Sequence, residues 1–308
     1  MSVPTKLVGF LVALVAIFAG AVGIGRAVGP IDAAPAAEHG DVDGMDDMDD
    51  MKMGAADFPK GLMVSQNGYT FRLAETTVAP GSAVPVAFTI EGPDGIPVTE
   101  YDVEHEKELH LIAVRRDFSG FQHVHPERAV DGTWSSSLDL SAGQWRLFAD
   151  FKATGAEAVT LGNDLAVRGS YQPATAVAES LTATVEGYTV TLDGDLVAGE
   201  EARLTLSVTR DGAPVTDLEP YLGAFGHLVA LRSGDLAYLH VHPEGTPGDG
   251  ETDPGPDVVF FAQVPSPGRY HLYLDFKHEG VVRTAAFTVT GSGSASPGSA
   301  GDESADGH

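Results

Sequence analysis

The chain has 308 residues and carries 44 acidic against 18 basic side chains, a formal net charge of −26 that repels phosphate backbones and makes cations, not nucleic acid, its expected partners. It contains no cysteine. Disulfides, iron–sulfur clusters, thiolate zinc and blue-copper centres are therefore excluded, and any metal must be held by nitrogen, oxygen or thioether.

In chain order, the first feature is an uncharged run from Leu7 to Gly25, flanked by Lys6 and Arg26. Its 19 residues would span about 28 Å as a helix, close to the hydrocarbon thickness of a bilayer. Residues 1–30 thus read as a membrane anchor. The alternative is a cleaved secretory signal, for which the small-residue stretch Asp32 to Ala37 offers a cleavage site. Either way the remainder lies outside the cytoplasm, as a single-pass membrane protein or, if the leader is cleaved, a secreted one. Residues 31–60 are a linker too poor in apolar surface to fold alone. Within it Met45, Met48, Met51 and Met53 stand among aspartates near His39. Thioethers suit Cu(I) and carboxylates gather cations, so this segment reads either as an ion-capturing stretch or as a plain acidic linker.

From residue 61 to 290 short β-branched and aromatic runs alternate with Gly, Pro, Asp and Asn turn signals, the pattern of an all-β chain. The expected strands of the first half are Tyr69–Glu75, Ala83–Glu91, Leu109–Arg115, Gly120–His125, Thr133–Leu138, Gln144–Phe151 and Ala158–Val167. Those of the second are Leu181–Glu186, Tyr188–Asp193, Ala202–Thr209, Gly226–Arg232, Leu236–His242, Val258–Val264, Arg269–Phe276 and Val281–Thr290. Residues 61–168 and 179–290 are accordingly expected to form two tandem immunoglobulin-like β-sandwiches, with residues 291–308 as a flexible tail.

The halves repeat one another. His110 to Glu127 aligns without gaps on His227 to Glu244, and 9 of the 18 positions are identical, among them three histidines per copy. Gly143 to Lys152 answers Gly268 to Lys277, with an added acidic loop between Gly245 and Pro256 in the second copy. The carboxylates Asp249, Glu251 and Asp253 of that loop lack the full calcium-loop pattern, and it reads as a solvated loop.

Side chains alternate faces along a strand, so His123 and His125 share one face, and so do His240 and His242. Arg232-Ser233-Gly234-Asp235 carries a two-residue hairpin signal, which sets His227 opposite His240 and, by equivalence, His110 opposite His123. Three imidazoles would then converge in each sandwich, a sufficient donor set for Cu²⁺, Zn²⁺ or Ni²⁺. The same faces carry Ile112, Val114, Val229 and Leu231, so packing within an interior is the competing reading. His105, His271 and His278 have no counterpart in the other copy and read as surface or strand residues. Asp150 and Asp275, which recur inside Asp-Phe-Lys, read as structural contacts. No nucleophile elbow, phosphate loop or H-E-x-x-H motif is present, so no catalysis is expected.

Taken together, His-Leu-x-x-x-Arg, His-x-His-Pro-Glu and the later Asp-Phe resemble a bacterial extracytoplasmic immunoglobulin-like module that accompanies copper and heavy-metal handling proteins. The resemblance covers Gly61 to Thr290 and implies metal binding at His110, His123, His125, His227, His240 and His242. The Met-Asp leader is similar to Met-rich ion-capturing segments of periplasmic copper proteins. The cysteines of electron-transfer cupredoxins and cytosolic metallochaperones are missing, which argues against redox transfer. The resulting expectation is a copper-capturing protein, with zinc or nickel as alternative ions and a metal-transport or oxidase-assembly partner. The alternative is a structural or protein-interaction module without metal.

Overall fold

The computed structural model describes residues 59–175, 178–239 and 241–293. The expectations for Leu7–Gly25, for Met45, Met48, Met51 and Met53, and for His240 fall outside the described residues. Among those residues there is no helix, and hence none long and apolar enough to cross a membrane.

The first half forms β1 (Ser65–Gln66), β2 (Tyr69–Leu73), β3 (Thr77–Val78), β4 (Gly81–Glu91), β5 (Leu109–Arg115), β6 (Gln122–Val124), β7 (Glu127–Arg128), β8 (Thr133–Leu140), β9 (Gly143–Phe151) and β10 (Val159–Val167). The second forms β11 (Thr182–Val185), β12 (Tyr188–Asp193), β13 (Glu201–Arg210), β14 (Ala213–Pro214), β15 (His227–Arg232), β16 (Val241–Pro243), β17 (Asp257–Gln263), β18 (Gly268–His278) and β19 (Val281–Gly291). Most expected strands appear within two residues of their predicted ends. Leu236–His242 does not: only Val241–Pro243 at its end is a strand. The expected tail starts later than residue 291, because Gly291 ends β19 and Ser292 bridges Val197.

In the first half one sheet runs β1-β2-β4-β8-β7 and the other β3-β10-β9-β5-β6, with β3 parallel to β10. Those orders are the A-B-E-D and G-F-C arrangement of an immunoglobulin-like sandwich, extended by one strand beside C. The second half repeats it as β11-β12-β13-β17-β16 and β15-β18-β19. Each sandwich has its own core, one around Trp134, Trp145, Phe71 and Phe88, the other around Tyr188, Tyr270, Phe260 and Phe276.

What positions the site is that β5 is buried along its whole length. Leu109, Leu111 and Ala113 enter the first core. The opposite face carries His110, Ile112 and Val114, and Ile112 and Val114 pack with Phe148 against Val229, Leu231, Leu236 and Tyr273 of the second sandwich. β18 behaves in the same way, with Tyr270, Leu272 and Leu274 in the second core and Tyr273 in this shared cluster. A strand apolar on both faces needs a second layer, and here the other copy supplies it. All described residues accordingly belong to one unit, Ala55–His308.

The contact repeats with the duplication. Phe121 stacks on Tyr273 at 3.9 Å, and their counterparts Tyr238 and Phe148 meet at 5.8 Å. The segment from Lys60 to Met63 binds both halves: Lys60 O accepts from Tyr238 N, Gly61 N donates to Thr160 O, and Arg146 Nη2 donates to Gly61 O at 2.7 Å. Gly162 makes room for it, since a Cβ there would lie 1.9 Å from Gly61 O. Gly162→Ala should therefore displace this segment and cost about 1–3 kcal/mol, the usual range for overpacking. A urea unfolding midpoint equal to that of the parent chain would disprove the constraint.

Candidate metal centre

Both hairpin loops are wider than the two-residue turn expected. Leu231 pairs with Tyr238, and Arg232 N donates to Ala237 O. In the first copy Ile112 pairs with His123 and Leu111 with Val124. The cause is an arginine–aspartate clamp inside each loop. Arg232 binds Asp235, whose Oδ1 also accepts from Ala237 N, and Arg115 binds Asp117, whose Oδ1 accepts from Ser119 Oγ. The resulting slip is by two residues, so His123 is not opposite His110, yet both stay on one face because side chains alternate with period two.

His110, His123 and His125 converge. One ring nitrogen from each lies within 4.8 Å of the others. Their ring centroids are 5.3, 5.0 and 4.9 Å apart. Imidazoles bound to one tetrahedral ion at about 2.0–2.1 Å have centroids about 5 Å apart and nitrogens about 3.3 Å apart.

The protons on these rings are placed by their outer partners. His110 Nε2 lies 3.1 Å from Glu104 O, a carbonyl that can only accept, so Nε2 carries the hydrogen. His123 Nδ1 donates to Asp275 Oδ2 at 2.8 Å, in a pair whose side chains are only 1% and 3% exposed. With both rings neutral, His110 Nδ1 and His123 Nε2 turn lone pairs on one another at 3.1 Å; a proton on His123, countered by Asp275, or a metal ion bound by both rings relieves that contact. His125 Nε2 is buried without a hydrogen-bond partner among the described residues. Burial first, then His123, pushes His110 down to about 3 and His125 to about 4, so both rings are neutral ligands at physiological pH.

The described residues do not bring His227 and His242 together, and His240 lies outside them. His227 joins the first cluster, stacked parallel to His110 at 5.7 Å and 4.8 Å from His123, although its nitrogens fall outside the three-atom group. His242 lies on β16, which crosses to the opposite sheet and pairs with β17. There it stacks on Phe261 at 5.4 Å and approaches Glu201 Oε1 at 3.6 Å. His242 diverges from its equivalent His125 because it lies within β16, already on the other sheet, whereas His125 lies between β6 and β7, before the first copy crosses.

Two residues lie at the site that spacing alone did not assign to it, Asp275 and His105. Asp275, read from the sequence as a structural contact, pairs in register with His227 and reaches His123 of the other sandwich, while Thr284 Oγ1 donates to its second oxygen at 2.5 Å. Its recurrence as Asp150, which faces His110 in register and accepts from Thr160 Oγ1, was the available signal. His105 also lies beside the cluster, 6.1 Å from His110 and 5.9 Å from His227. His271 instead bonds Ser233 and Thr288, and His278 links Tyr188 to Asp217. Asp249 accepts from Thr246, Glu251 and Thr252 within its own loop, as suits a structural turn.

Asp275→Ala removes the acceptor of a buried N–H and should cost about 1–3 kcal/mol. It should also let the His123 proton redistribute between Nδ1 and Nε2. Imidazole ¹⁵N shifts and denaturant unfolding check both effects, and parent-like values in each would remove Asp275 from the site.

No curated protein matches this chain. Among solved structures it is similar to the Escherichia coli adhesin FdeC at 14% identity, over 74% of this chain and 65% of that one, with a TM-score of 0.23. The Yersinia pseudotuberculosis adhesin InvE gives 12%, 73%, 59% and 0.21, and a marsupial T cell receptor 12%, 72%, 98% and 0.22. The chain spans less than two thirds of either adhesin, and scores this low carry no functional argument. Residues 64–166 and 183–293 each match the family model described as "Domain of unknown function (DUF8832)", and the chain belongs to that family.

Proposed function

We propose that this protein binds a transition-metal ion at a single centre made by His110, His123 and His125, with Asp275 of the second sandwich orienting His123. The observation that carries the reading is the convergence of one ring nitrogen from each of His110, His123 and His125 within 4.8 Å, with His125 Nε2 buried and unpartnered among the described residues. Three neutral imidazoles suit Zn²⁺, Ni²⁺ and Cu²⁺, and Cu²⁺ is the most tightly bound divalent first-row ion in such a set. A carboxylate on the far nitrogen is the usual support of a metal-ligating histidine. The methionines at 45, 48, 51 and 53 favour copper capture on the same chain, and the apolar run from Leu7 to Gly25 favours an extracytoplasmic location. On this reading the chemistry is capture and delivery rather than catalysis, with a transport or assembly protein as recipient.

A second reading keeps the same fold and drops the ion: two immunoglobulin-like sandwiches locked together as a structural or protein-interaction module. The shared apolar cluster and the Phe121–Tyr273 stack favour it, because they fix the two halves without a metal. Calorimetric titration of the full-length chain with Cu²⁺ and Zn²⁺ separates the two. One centre should fill in the parent chain and in His242→Ala. Affinity should fall more than about tenfold in His123→Ala and in His125→Ala, since even loss of an outer partner costs that much. Equal affinity in a His123→Ala/His125→Ala double variant would leave the interaction module as the surviving account.

A further inference from the structure

Beside the histidine cluster lies a cavity of about 270 Å³ whose walls include His110, His227, Asp150, Tyr238, Lys60 and Lys107. Its size is near the lower end of small-molecule sites, enough for a ligand of a few heavy atoms. Two further acids at the wall, Glu104 and Glu108, are already engaged by Lys152 at 3.8 Å and Arg128 at 3.1 Å. Lys60 and Lys107 have no ion-pair partner among the described residues. Asp150 is the remaining anion; Thr160 Oγ1 donates to it but leaves its charge. The wall's unpaired groups are then two ammoniums against one carboxylate, a net positive charge to which a divalent ion on His110 would add.

The wall also holds hydrogen-bond donors. Burial first, then Asp150 and Asp275, raises the Tyr238 phenol well above its usual value, so its hydroxyl stays protonated. His227 has no hydrogen-bond partner among the described residues and does not fall within the three-nitrogen group, so its ring is free to face a ligand rather than the ion. Three protein donors on a tetrahedral ion leave one position for an exogenous ligand.

We propose that this cavity binds a small anionic oxygen donor of the carboxylate class, which takes the fourth position on the ion held by His110, His123 and His125 and is received by Lys60, Lys107 and Tyr238. The inference rests on the metal reading above, and its test separates the two. Full-length chain is loaded with Co²⁺, whose visible bands report coordination, and acetate is titrated in. The bands should change saturably. In Lys60→Met/Lys107→Met the acetate midpoint should rise about fivefold or more, the effect of removing charge contacts in a partly screened site, while Co²⁺ affinity stays within about twofold. Bands indifferent to acetate, or an unchanged midpoint in the variant, would overturn the cavity proposal and leave metal binding standing. Failure to take up Co²⁺ at all would overturn both.

Discussion

Strands β5 and β18 have no face that water can cover at low cost. One face of each belongs to its own sandwich core, and the other presents Ile112 and Val114 or Tyr273. Burial of such side chains is worth about 1.5–3 kcal/mol apiece, so leaving these outer faces in solvent would forfeit a large fraction of a domain's net stability. Docking of the two copies removes the problem for both at once. The face is duplicated, so the contact is close to self-complementary, as the paired Phe121–Tyr273 and Tyr238–Phe148 contacts show. Everything at the histidine centre follows from this docking. Without it Asp275 would not reach His123, and His227 would not stand beside His110.

The symmetry is then broken in one place. After the shared hairpin the first copy stays beside β5 through Val124 and joins the opposite sheet only at Glu127–Arg128, whereas the second is already on the opposite sheet at Val241–Pro243. The eight-residue insertion that follows His-Pro-Glu lengthens only the second copy. Among the described residues the duplicated motif thus gives one histidine cluster, with contributions from both halves. Gene duplication copies residues, but the strand on which a residue lands is decided by which sheet edge offers hydrogen bonds.

Much of this could be read in advance. Strand positions were legible because a period of two, punctuated by glycine and proline, is a local signal, and Leu109–Arg115 and Tyr188–Asp193 match residue for residue. The sharing of one face by His110, His123 and His125 was legible as well, since it survives any slip by an even number of residues. The hairpin register was not. Ser233-Gly234 looked like a complete turn, and the clamp of Arg232 on Asp235 that widens the loop is a side-chain contact with no periodic trace. Least legible was the docking. The apolar residues on the histidine face are visible in the sequence, where packing and metal binding compete as readings of that face. In the structure they are neighbours on one surface: Ile112 and Val114 seal the interface, and His110 closes its end.

That adjacency bears on why imidazoles occupy this place. A charged residue at the end of an apolar interface would be expensive to desolvate, and burial here holds His110 and His227 in their neutral forms. A neutral ring costs less to bury and still offers a lone pair. His110 and His123, with their outer nitrogens on Glu104 O and Asp275, and His125, whose Nε2 has no partner among the described residues, make an apolar-compatible cluster with a donor set that suits a cation. An ion bound there would hold His123 of the first sandwich and, through Asp275, the second, so its binding energy would also favour the docked state. Docking and ion capture would then be two views of a single equilibrium. The apolar cluster sets its baseline, and the imidazoles set how far an ion can shift it.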